Sequence, residues 1–145
     1  MIEVSEVRRR LRQAIADGRK AAGQRHERSQ LASADYARFL EMVAVPVFRI
    51  LANVLRADLG RHLFELSTPE GSVRLSSERS AKDFLDLVLD VSVDPPVVMG
   101  RASHTRGGHV VLIERPVLDG ARIADLTDEN VIQFLMAEIA PLIER

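Results

Sequence analysis

Between Gly60 and Arg122 the spacing of apolar residues turns from helical to alternating, and turn residues recur at short intervals. Such closely joined strands must run antiparallel, because a parallel crossover needs roughly a dozen residues or more. Strands are predicted at 62–67, 72–76, 82–93, 97–105 and 108–115. Thr68-Pro69-Glu70-Gly71 supplies the first hairpin turn, with Pro presetting one angle and Gly closing the turn. Asp94-Pro95-Pro96 ends the third strand, Arg106-Gly107 reads as the tight turn between the fourth and fifth, and Pro116 ends the fifth. The third strand has the cleanest pattern. Leu85, Leu87, Leu89, Val91 and Val93 face one way, and Phe84, Asp86, Val88 and Asp90 face the other.

Helices are predicted on both sides of this sheet. Val4, Val7, Leu11, Ala14 and Ile15, continued by Ala21 and Ala22, form a narrow apolar stripe over residues 3–26. Gly18 and Gly23 weaken this helix by about 1 kcal/mol each relative to Ala, so it needs a partner surface. A break is expected in the polar stretch 24–30, with Ser29 or Ser33 capping a second helix. Tyr36, Phe39, Leu40, Val43, Val47, Ile50, Leu51, Val54 and Leu55 mark the second helix, which ends at Gly60 and is kinked or broken near Pro46. Thr127 announces the last helix, whose apolar face is Val131, Phe134, Leu135, Ile139, Leu142 and Ile143.

The expected fold class is α+β: N-terminal helices, a five-stranded antiparallel β-meander, and a C-terminal amphipathic helix packed on the sheet. A chain of 145 residues suits a single domain over 1–145. Within it, residues 1–28 read as a semi-independent Arg-rich helical arm and residues 29–145 as a compact core. The arm carries Arg8, Arg9, Arg10, Arg12, Arg19, Lys20, Arg25 and Arg28 against only Glu3, Glu6, Asp17 and Glu27. Beyond Val117 the acids Asp119, Asp125, Asp128, Glu129, Glu138 and Glu144 dominate, so front and back are placed to attract each other within one chain or between two.

Several functions are excluded by what the chain lacks. With no cysteine there is no thiol nucleophile, zinc finger or disulfide framework. Nucleotide-binding glycine loops, the G-x-S-x-G elbow and the H-E-x-x-H zinc motif are absent. The charged N-terminus does not fit a signal peptide, and charges interrupt the most apolar stretch, so a cytoplasmic, non-membrane protein is expected. No cofactor is expected.

Four residues form the candidate ligand or anion site: Arg101, His104, Arg106 and His109. If Arg106-Gly107 is a two-residue turn, His104 lies opposite His109 with β-carbons about 5 Å apart, close enough to share a metal or proton, and Gly107 and Gly108 add backbone amides. A metal centre needs a third ligand, which the spacing does not supply. Asp86 and Asp90 are separated by roughly 13 Å along an extended strand, too far to act as a pair, and are expected on a solvated face. A partner interface is expected at Val4, Val7, Leu11 and Ile15 on the arm and at Phe84 and Val88 on the half-polar sheet face.

Three functional readings follow. The leading one is a non-enzymatic binding or adaptor domain that forms a homo-oligomer or holds a protein partner. A second is a small-ligand, anion or metal-binding protein or enzyme with its site at the His104/His109 hairpin. The third is nucleic-acid binding through the Arg-rich helix, disfavoured because Tyr36 is the only tyrosine and tryptophan is lacking.

Overall fold

A computed structural model of the protein describes residues 1–59 and 64–144. Gly60 and His62, assigned above to a helix end and a strand start, lie outside the described residues. The order of elements is α1 (Val4–Phe39), a π-helical turn (Leu40–Ala44), α2 (Val45–Leu59), strands β1 (Phe64–Ser67), β2 (Ser72–Ser77), β3 (Ser80–Asp90), β4 (Val97–Arg106) and β5 (His109–Pro116), a 3-10 turn (Ile123–Asp125), α3 (Asp128–Glu138) and α4 (Ala140–Ile143). The strands form one antiparallel sheet in chain order, a meander with β1 and β5 at its edges. The α+β architecture expected from periodicity is the one observed.

The expected break at 24–30 does not occur, and α1 continues for 36 residues. Neither Pro nor Gly lies between Gln24 and Phe39, and Gln, Arg and Glu are good helix formers, so polarity alone does not end the helix. Ser29 and Ser33 are therefore interior residues and not caps. The interruption comes instead at the π turn just before Pro46. Proline there has no N–H for the Met42 carbonyl, and its ring would crowd that carbonyl. A widened turn absorbs both and leaves Pro46 in the first turn of α2, where the missing donor has no partner to lose.

Register assigns each side chain to a face. Phe64, Leu66, Val73, Leu75, Leu85, Leu87, Leu89, Val98, Gly100 and Ala102 share the inner face, and their apolar side chains join the buried core. Phe48, Leu51 and Leu55 of α2 and Val131, Phe134 and Leu135 of α3 bury their stripes in the same core, each large side chain contributing about 1.5–3 kcal/mol. α2 lies over β1 and β2, while the Phe134 ring of α3 sits on Gly100. A capping box starts α3: the Thr127 side chain accepts from the Asn130 N–H, and Asn130 Oδ1 accepts from the Thr127 N–H at 2.9 Å.

The last turns of α1 tie the helix to the sheet. Tyr36 is buried and donates its hydroxyl to the carbonyl of Gly71 at 2.7 Å and, more weakly, to that of Leu87 at 3.3 Å. Burial pushes the Tyr36 phenol well above its ordinary range; the charge of Asp86 adds to this and Arg101 opposes it. Eight residues earlier Arg28 grips Asp94 through two hydrogen bonds of 3.0 and 2.6 Å. From Val4 to Arg28 every residue is exposed apart from Glu6, which is half-covered by its bonds to Arg9 and Arg10.

Candidate functional site

The β4–β5 hairpin carries all four candidate ligand residues, three of them on one face. Its turn is Gly107-Gly108, both at positive φ (57° and 79°), as a type I′ connection requires, and not Arg106-Gly107. Arg106 has a side chain that would resist positive φ, whereas two adjacent glycines accept it without penalty. Moving the turn by one residue changes every partner. Arg106 pairs with His109, and His104 pairs with Val111, so the two histidines are diagonal neighbours roughly 7 Å apart and not directly opposite. His104, Arg106 and His109 share the inner-face side of the hairpin. His104 and Arg106 line a shallow hollow of about 280 Å³ with Thr105, Pro141 and Glu144.

Arg101 points to the other face and is already engaged. Its guanidinium binds the Asp86 carboxylate through Nε at 2.8 Å and Nη2 at 2.7 Å, and Arg74 from β2 binds the same carboxylate at 2.9 and 3.2 Å. Asp86, expected on a solvated face, is 0% exposed. The correction has a simple cause: register places Arg74 and Arg101 directly beside Asp86 on the two neighbouring strands, and the long side chains close over the short one. Phe84 completes the cluster. The Arg74 guanidinium lies 4.1 Å from its ring centre and that of Arg101 5.9 Å, so the ring is half-covered by cations. Val88 beside it is also half-buried. Neither side chain belongs to the buried core.

No cluster of three or more potential metal ligands exists among the described residues. A larger hollow lies elsewhere, an open groove of about 630 Å³ between α1 and the loops at 94–97 and 116–123. Leu31, Pro96 and Ile123 contribute to its lining, with the Arg28–Asp94 pair and Arg122 among its polar residues. It is assembled from segments more than 90 residues apart, Arg28 to Arg122, and no local pattern in the sequence marks it.

Two other surfaces present apolar groups outward. On the arm, Val4, Val7, Leu11 and Ile15 are 72, 51, 58 and 45% exposed. On β5, Val110, Val111, Leu112 and Ile113 are all exposed, on both faces of an edge strand. The Val117 N–H donates to Val98 at 3.1 Å, and Arg106 faces His109 across the two-residue turn. The alternation of an antiparallel ladder therefore turns the amides of His109, Val111, Ile113 and Arg115 toward β4, and those of Val110, Leu112 and Glu114 outward. At the opposite edge β1 has only four residues and exposes Glu65. β1 is thus protected by its shortness, whereas β5 runs for eight residues.

This ladder predicts an asymmetric response to proline. Leu112→Pro removes an outward-pointing donor and is expected to cost less than about 1 kcal/mol, whereas Ile113→Pro breaks a bond to Ala102 and is expected to cost about 2–3 kcal/mol more. Urea midpoints of the two variants measure the difference, and equal midpoints would contradict the assigned ladder.

No helix among the described residues is long and apolar enough to cross a membrane. The chain matches no protein-family model, and no curated protein or solved structure matches it. Functional evidence therefore comes from the surfaces themselves.

Proposed function

We propose that this protein is a non-enzymatic binding domain that self-associates through its N-terminal helix. The observation carrying this reading is the state of the arm: some seven turns of helix whose apolar stripe, Val4, Val7, Leu11 and Ile15, is left exposed to solvent. An isolated helix gains little from propensity and draws most of its stability from packing an apolar face. Two unsupported glycines, Gly18 and Gly23, each with open space where a β-carbon would stand, make the need for a partner greater. The chemistry of the core points the same way. Asp86 is taken up by two arginines and Glu138 by Arg115, so these buried or half-buried carboxylates act as ties between elements. His104 and His109 have no third metal-binding group gathered around them among the described residues.

Light scattering on the eluting full-length chain tests the proposal. A dimer mass is expected for the wild-type protein and a monomer mass for Leu11→Asp, a change at an exposed site that leaves the domain's own packing untouched. Wild-type protein that remains monomeric at high concentration, or a dimer indifferent to Leu11→Asp, would refute it.

A further inference from the structure

Residues 4, 7, 11, 14, 18 and 21 follow each other at steps of three and four, the repeat that winds two helices around a common seam. Along this seam size is graded. Val4, Val7 and Leu11 fill its first half and Ala14, Gly18 and Ala21 its second, with Ile15 of the exposed stripe flanking the seam beside Ala14. Two copies laid parallel would place large against large and leave Gly18 facing Gly18. Laid antiparallel, Val4 meets Ala21, Val7 meets Gly18 and Leu11 meets Ala14, so that every layer holds one large and one small residue.

Charge makes the same choice. Of the arginines clustered at 8–12, Arg8 and Arg10 flank the seam, and a parallel pair would set each level with its own copy. In the antiparallel pair the cluster lies beside residues 13–17 of the other helix, a stretch with no cation and with Asp17 at its end. Arg10 and Asp17 are exposed, and reaching across would exchange the Arg10–Glu6 and Gln13–Asp17 bonds within one helix for contacts between the two.

The length also fits. The overlap from Val4 to Ala21 spans about 26 Å and ends before Arg28, where the helix first grips its own domain through Asp94. The two sheets would then sit at opposite ends of the helix pair, without collision.

We infer that two copies of this chain pair their N-terminal helices antiparallel about a two-fold axis between residues 12 and 13, with a second copy of the chain as the occupant of the exposed stripe. The inference rests on the self-association proposed above and specifies its geometry.

Because the chain has no cysteine, introduced pairs report the arrangement without background. In the full-length double variant Val4→Cys/Ala21→Cys, mild oxidation is expected to yield a covalent dimer. Val4→Cys alone is expected to stay uncross-linked, since its two copies would lie about 26 Å apart along the helices, far beyond the roughly 7 Å between α-carbons that a disulfide allows. Asp17→Arg, which adds a cation beside the arginine cluster of the partner, is expected to weaken dimerisation at least about tenfold. Efficient cross-linking of Val4→Cys alone would overturn the antiparallel pairing, as would a dimer in which neither variant cross-links, and both leave self-association standing. A monomer mass for the wild-type chain would remove the self-association itself.

Discussion

Gly100→Ala is expected to destabilise the protein by about 3 kcal/mol, at the upper end of what overpacking costs. A β-carbon at this position would lie 2.5 and 2.8 Å from Cε2 and Cε1 of Phe134 and closer still to Cζ. The ring has no easy retreat. Phe134 is 1% exposed, and the Arg115 guanidinium lies 4.9 Å from its centre while itself bonded to Glu138 on the same helix at 3.1 and 3.2 Å. Gly100 and Arg115 are cross-strand partners, so the aromatic ring of α3 fills the space that the glycine leaves on the inner face. Combining Gly100→Ala with Phe134→Leu should return part of the loss, because the two substitutions share one volume. A coupling above about 0.5 kcal/mol in the double-mutant cycle is the expected result. Simple additivity of the denaturation free energies would show that the ring does not depend on the glycine.

Asp86→Ala is expected to cost about 2–3 kcal/mol. Breaking a fully buried ion pair costs about 3–5 kcal/mol, but the side chains of Arg74 and Arg101 are 31% and 28% exposed and can recover hydration when the carboxylate is gone. The single variants Arg74→Ala and Arg101→Ala should each cost less, about 1–2 kcal/mol, because the other arginine still holds Asp86. Replacing all three by leucine and two methionines, as Asp86→Leu/Arg74→Met/Arg101→Met, should recover most of the stability of Asp86→Ala, since a packed apolar cluster avoids stranding any charge. Equilibrium urea unfolding of the set measures these differences. A loss below about 0.5 kcal/mol for Asp86→Ala would show that the cluster contributes only surface electrostatics.

These expectations bear on function because both sites hold the sheet rigid while leaving the arm untouched. Neither Gly100 nor Asp86 contacts α1 before Tyr36 among the interactions described, so a stability change there is separable from a change in self-association. Variants of the arm, in contrast, alter residues already exposed in the single chain. The two groups of substitutions can therefore be read independently.

Much of the architecture was legible in the sequence. Period-two alternation of Leu85, Leu87 and Leu89, together with turn residues too closely spaced for crossovers, was enough to require an antiparallel meander, and Thr127 marked the start of α3. Pro46 marked the interruption before α2, because a missing donor acts on its own turn whatever the tertiary context. These are local consequences of backbone geometry, and a chain carries them with it.

What the tertiary structure alone decided depends on neighbours across strands. The hairpin turn, expected at Arg106-Gly107, falls one residue later at Gly107-Gly108, where both residues accept positive φ. That shift of one residue moved the cross-strand partner of His104 from His109 to Val111. Asp86 read as a solvated acid because its own strand shows only alternation. Its burial is imposed by Arg74, twelve residues before it, and Arg101, fifteen after it. The groove beside α1 joins Arg28 to Arg122 for the same reason. Periodicity identifies which side of an element is apolar, but folding chooses what each polar side chain meets, and in this protein that choice turned an apparent surface carboxylate into a buried tie between three strands.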